Sequence, residues 1–201
     1  MKKNLVIAAT LALASFGPAL LAQTPTTTAP TAAPTTNQRR NEQQQRIGNG
    51  VANGSMTAGE TARVERQEAG LNKEIKGMRQ ENNGKLTPAD RRVIHRQQNH
   101  LSREIYRDKH NAAVQPPANG PINDRKNNQQ QRVAQGIKSG SLTAGEASKL
   151  ERREAGLNRE ERGMRQANGG KLTSGDRAVI NHQQNQLSRQ IYRNKHNAKA
   201  R

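Results

Sequence analysis

Lys73, Lys76 and Arg79 stand three residues apart, and Arg159, Arg162 and Arg165 repeat the spacing. Arg103 and Arg107 stand four apart, as do Arg189 and Arg193. On a helix, spacings of three and four place side chains on one face. Each set therefore reads as a cationic row, and such rows bind phosphates, sulfates or carboxylates. The competing reading is an ordinary solvated helix face, yet acids that would neutralise these rows are sparse along them. The ten residues are the candidate anion-binding set. Tyr106, His110, Tyr192 and His196 are weaker candidates. They lie in Ile-Tyr-Arg-x-Lys-His-Asn runs at 105–111 and 191–197, where cations and Asn also suit a helix C-terminus.

Other chemistry finds little support. His95 and His100 become Asn181 and Gln186 in the corresponding second stretch, so metal-ligand spacing is absent. No Ser/His/Asp or Cys/His arrangement occurs, and Glu65 and Glu68 are expected on a helix surface among arginines. The reading is a non-enzyme without cofactor or metal. A calcium loop ending at Asp90 would need Arg79 as its first ligand, and a cation there defeats the site.

The elements that position these rows begin at four similar stretches. Thr57 with Glu60, Thr87 with Asp90, Thr143 with Glu146 and Thr173 with Asp176 each form a helix-capping pair. Helices are expected from Thr57 to about Glu81 and from Thr87 to about His110, preceded by a short one near Gln43 to Ala52. Residues 41–111 match 127–197 at 45 of 71 positions without gaps. The expected fold is therefore all-α: two tandem copies of a roughly 70-residue three-helix repeat. Val64, Leu71, Ile75 and Met78 form one stripe, in which Glu161 replaces Ile75 in the second copy. Val93, Ile94, Leu101 and Ile105 form another, with Gln98 inside it either setting register or lying at the edge of a small core. Few Leu, Ile, Val and Phe are available, and Gly70, Gly77, Gly156 and Gly163 interrupt helices. A marginal core follows, stabilised by packing copy on copy or by homodimerisation.

Lys2 and Lys3 precede an apolar run and Ala19-Leu-Leu-Ala22, the pattern of a secretory signal peptide over residues 1–22. A Thr/Pro/Ala-rich tether (23–38), repeat one (39–111), a Pro/Gly linker (112–122) and repeat two (123–201) complete the plan. No transmembrane segment is expected after cleavage. Cleavage removes Lys2 and Lys3 from a chain of net charge +18, leaving 32 basic residues against 16 acidic ones, about +16. Such a chain in the periplasm or outside the cell has anionic counterparts: nucleic acid, lipopolysaccharide, anionic glycans or an anionic membrane surface. With only Tyr106 and Tyr192 as aromatics beyond Phe16, base stacking on single strands is disfavoured.

Leu86-Thr-Pro-Ala-Asp and Leu172-Thr-Ser-Gly-Asp, each opening a Gln/Arg-rich helix after a signal peptide, resemble the LTxxQ-motif periplasmic proteins. Asp stands where that motif has Gln. The resemblance implies an all-helical envelope protein, with stress chaperones and metal-responsive sensors as relatives. Two functions are expected in consequence: binding of anionic or unfolded client proteins in the envelope, or sequence-independent polyanion binding. A metal-responsive sensor is disfavoured for want of ligands.

Overall fold

A computed structural model describes residues 33–115 and 120–199. Among them lie six α-helices and no strand: α1 (Thr36–Ala52), α2 (Ala58–Glu81), α3 (Pro88–Lys109), α4 (Pro121–Ser139), α5 (Ala144–Ala167) and α6 (Ser174–Lys195). The signal-peptide segment, the tether as far as residue 32 and linker residues 116–119 lie outside the described residues.

Local chemistry places the helix starts. At α2, α3, α5 and α6 the Thr hydroxyl accepts from the backbone N–H three residues on, and the acid there accepts from the Thr backbone. The glycines opening these stretches, Gly54, Gly84, Gly140 and Gly170, have φ between 74° and 87°, a left-handed turn that other residues adopt at a cost. The first helix differs from expectation. It begins at Thr36, inside the segment expected to be extended, because Thr35 and Gln38 make a further capping box. Likewise α4 starts at Pro121, within the expected linker, with proline where its missing N–H is harmless.

The main helix contacts join corresponding elements: α2 packs on α5 and α1 on α4. These contacts are reciprocal. Gln45 donates to the Lys138 carbonyl at 3.0 Å, and its counterpart Gln131 donates to the Ala52 carbonyl at 2.7 Å. Ser148 Oγ donates at 2.7 Å to the carbonyl of Ala62, the residue in its own position in the first copy. A methyl on Gly48 would lie 3.2 Å from the carbonyl oxygen of Ala134, again its own counterpart. Helix α3 covers α1 and α2, α6 covers α4 and α5, and α3 does not touch α6.

Sparse apolar residues suffice because amides share the interior. Ile47, Val64, Leu101, Ile105, Ile137, Leu150 and Ile191 form one core spanning both sequence copies. Around it, Gln43 donates to the Gln98 carbonyl (2.7 Å) and to Ser102 Oγ (2.9 Å), and Gln129 repeats this with Gln184 and Ser188. Gln98 itself is buried and donates to the Thr36 carbonyl, as Gln184 does to that of Ile122. These bonds tie α3 and α6 to the first turns of α1 and α4. The side-chain N–H groups of Gln43, Gln98, Gln129 and Gln184 are thus bonded, while their Oε1 atoms are buried without a hydrogen-bond partner, so part of the desolvation cost remains. Val93 and Val179 sit beside the stripe rather than in it: Val93 is half-buried and Val179 43 % exposed.

The glycines divide unexpectedly. A methyl added at Gly70, Gly77, Gly156 or Gly163 would meet nothing within 4 Å, so no neighbouring helix packs closely over them. The tight positions are Gly48, where an added methyl would run into Lys138 Cγ, Gly50, where it would lie 2.7 Å from Met56, and Gly136, 2.6 Å from Leu142. Gly70→Ala and Gly156→Ala are expected to raise stability by up to about 1 kcal/mol each. Gly136→Ala should instead lose about 1–3 kcal/mol, because branched Leu142 cannot swing aside as Met56 can. Thermal melts of the three variants check the signs.

Candidate functional site

Acids and bases are sorted by depth. Seven of the sixteen acids are buried: Glu65, Glu68, Glu104, Asp108, Glu151, Glu154 and Glu161. Glu60, Asp90, Glu146 and Asp176 are committed to capping boxes. Of the lysines and arginines, Lys126 alone is buried among the described residues. Burial of carboxylates is unusual without partners. Here Gln44 donates to Glu65 (3.2 Å), Gln130 donates to Glu151 (3.2 Å), and Arg63 pairs with Glu104 (2.7 Å) and Asp108 (2.8 Å). The expectation that Glu65 and Glu68 lie on a helix surface is therefore corrected. Their face of α2 is the one that packs on α5, so it turns inward.

The outer surface keeps the cations. Lys73, Lys76, Arg159 and Arg162 are exposed, and Arg79 and Arg165 are half-buried. Arg103, Arg107, Arg189 and Arg193 are exposed on the outer faces of α3 and α6. Two concavities gather part of the set. Arg103, Tyr106 and Arg107 line a groove of about 710 Å³ with Arg46, His100 and Ser102. Arg46 is held there by donating to the Ser102 carbonyl at 2.7 Å, and Arg132 is held by Ser188 at 3.1 Å beside α6. Arg159, Arg162 and Arg165 line a cleft of about 690 Å³ with Lys126 and Glu161. Lys76 and Arg79 border a smaller hollow of about 320 Å³. Arg46 and Lys126 escape a reading of single-helix spacing because they reach these sites from neighbouring helices.

No protein-family model, curated protein or solved structure matches the chain. What the site can do is therefore argued from its own geometry. Burial pushes the Lys195 ammonium down and nearby Arg132 adds to this, a sign of crowded positive charge beside α6. At the helix starts, hydrogen bonds from Thr87 hold Asp90 below the usual carboxylate range, and those from Thr173 do the same for Asp176. The caps are thus structural anions, bonded within their own first turns.

The terminal runs serve two ends. Tyr106 stacks on His110 and Tyr192 on His196, each with ring centroids 4.2 Å apart. His110 and His196 Nδ1 lie 2.7 Å from the Tyr106 and Tyr192 carbonyls. Asn111 donates to Glu60 at 2.6 Å and Asn197 to Glu146 at 2.7 Å, fastening α3 and α6 to the starts of α2 and α5. Both tyrosines remain about 60 % exposed at the ends of the outer rows. Among the described residues no group of three or more His, Cys, Asp or Glu is placed to hold a metal, and no helix is long and apolar enough to cross a membrane.

Proposed function

We propose that this protein is an exported, non-enzymatic binder of anionic macromolecules, held by charge and without sequence readout. The observation that carries this reading is the sorting of charge: seven of the sixteen acids are withdrawn into the helix interfaces, whereas most of the described cations are exposed and Lys126 alone of them is buried. The effective surface is thus more positive than the net charge of about +16 left after loss of Lys2 and Lys3 suggests. The reciprocal contacts support a finer architecture: two equivalent three-helix units, one per sequence copy, joined about an approximate twofold axis. That axis runs between Gly48 and Ala134 and between Ala62 and Ser148. The leader over residues 1–22 supports a periplasmic or secreted location.

Binding of unfolded clients through apolar surface receives less support. The large apolar side chains exposed among the described residues are Tyr106, Val114, Val179 and Tyr192, which do not form a broad patch by sequence or helix face. Salt titration separates the two readings. Affinity for heparin and for duplex DNA is expected to fall on the order of 10³-fold between about 50 mM and about 200 mM salt, as for roughly six neutralised phosphates. Salt-independent capture of a reduced, unfolded protein, with no affinity for either polyanion, would overturn the proposal.

A further inference from the structure

Resting on that reading, we propose that the protein is bivalent: it bridges two double-helical nucleic acid segments, one along α3 and one along α6. On α3, Arg92, Arg96, Arg103 and Arg107 are all exposed. At about 100° per residue their positions fall within one narrow face, opposite buried Ile94, Leu101 and Ile105. The row extends over about 22 Å of helix, a length that meets several successive phosphates of one duplex strand. The groove holding Arg46 and Tyr106 adjoins its C-terminal half.

Chemistry selects the occupant. Every charge in the row is an arginine, whose planar fork matches a phosphate oxygen pair. A membrane-seeking helix would carry large apolar side chains on the outward face, and this one has only Tyr106 there. A single strand would need a series of stacking aromatics. Duplex phosphate backbone is what remains complementary to an arginine row of this length.

Bivalency follows from placement. α3 and α6 cover different helix pairs and do not touch, so a duplex on one does not occupy the other. The α6 face is weaker, since Ala178 and His182 stand where α3 has Arg92 and Arg96, leaving Arg189 and Arg193. Two unequal binding steps are expected, the α3 step having the steeper salt dependence.

The test mixes donor-labelled and acceptor-labelled short DNA duplexes with the protein at low salt, reading anisotropy for binding and energy transfer for bridging. Transfer should peak near one protein per two duplexes and fall in protein excess, as each duplex acquires its own molecule. Arg103→Gln with Arg107→Gln should sharply lower transfer, and adding Arg92→Gln with Arg96→Gln should abolish it while weak single-duplex binding persists at α6. Adding Arg189→Gln and Arg193→Gln should remove that remainder. Tight binding without transfer at any ratio overturns bivalency and leaves the polyanion reading standing. Absence of binding to DNA, heparin included, overturns both. Bridging of labelled heparin but not of duplexes overturns the choice of nucleic acid, and undiminished transfer in the double variant overturns the assignment to α3.

Discussion

Between about pH 5 and about pH 8 the fold is expected to lose about 3 kcal/mol of stability, contrary to the acid lability of most proteins. The main source is Glu154, 2 % exposed, whose carboxyl is pushed up from 4.5 to about 7. Burial is the largest cause and nearby Glu161 adds to it, while Lys126 opposes both. Neither Glu154 oxygen has a hydrogen-bond partner. Up to about pH 7 the unfolded chain carries an ionised Glu154 while the folded chain largely keeps its proton. The folded state therefore binds more protons, and stability falls as pH rises, levelling off above about 7. Glu151 acts in the same direction: burial, then Glu154 and Glu65 beside it, raise its carboxyl well above the ordinary value, against a hydrogen bond from Gln130. Asp90 and Asp176 act oppositely, but their depressed values put their titration below this window. Urea midpoints across the range check the slope. Glu154→Gln should flatten it and stabilise the protein at the alkaline end. A wild-type stability maximum at the alkaline end would refute the account.

How much of this was legible depends on how local the cause is. The starts of α2, α3, α5 and α6 are readable because a Thr and an acid three residues on interact within one turn. The same rule missed α1, whose cap Thr35 is hidden among threonines and prolines and whose N3 residue is Gln38 rather than an acid. The cationic rows are readable as spacing, because a row is a property of one helix. The inward turn of Glu65, Glu68, Glu151 and Glu154 is not. Seen along α2 alone, glutamates among arginines resemble any wet face. Only the packing of α2 on α5 buries them. The make-up of the interior was likewise not legible from the thin apolar stripes, since the buried amides of Gln43, Gln98, Gln129 and Gln184 count as polar in composition. In the structure they act as interior ties.

The acidic residue in the α5 stripe leads to the other large expected effect. Lys126→Met should cost about 3–5 kcal/mol at alkaline pH, the penalty for leaving a buried charge without its partner. Lys126 and Glu161 are 7 % and 5 % exposed and form an ion pair, with Arg165 on the opposite oxygen of Glu161 at 2.8 Å. Those hydrogen bonds and charges hold the Glu161 carboxyl below its usual range despite the opposing effect of burial. The first sequence copy solves the same position differently, with Arg40 and Ile75 in place of Lys126 and Glu161. Glu161→Ile alone leaves Lys126 facing Glu154, so its cost should stay near about 1 kcal/mol. Lys126→Arg with Glu161→Ile installs the first copy's pair and should return stability to within about 1 kcal/mol of the parent. Denaturant unfolding of the four proteins compares these costs. A Lys126→Met variant as stable as a surface substitution would mean that Arg165 alone neutralises Glu161 and that the buried lysine carries no structural duty. Strong loss in Lys126→Met with rescue in the paired variant would instead show that the two copies reached one packing geometry through two chemistries, one apolar and one ionic. The ionic version also places Lys126 and Arg165 on the cleft shared with Arg159 and Arg162; the paired variant keeps a cation at 126 and removes the Glu161 carboxylate, so it should raise the salt dependence of polyanion binding at that cleft.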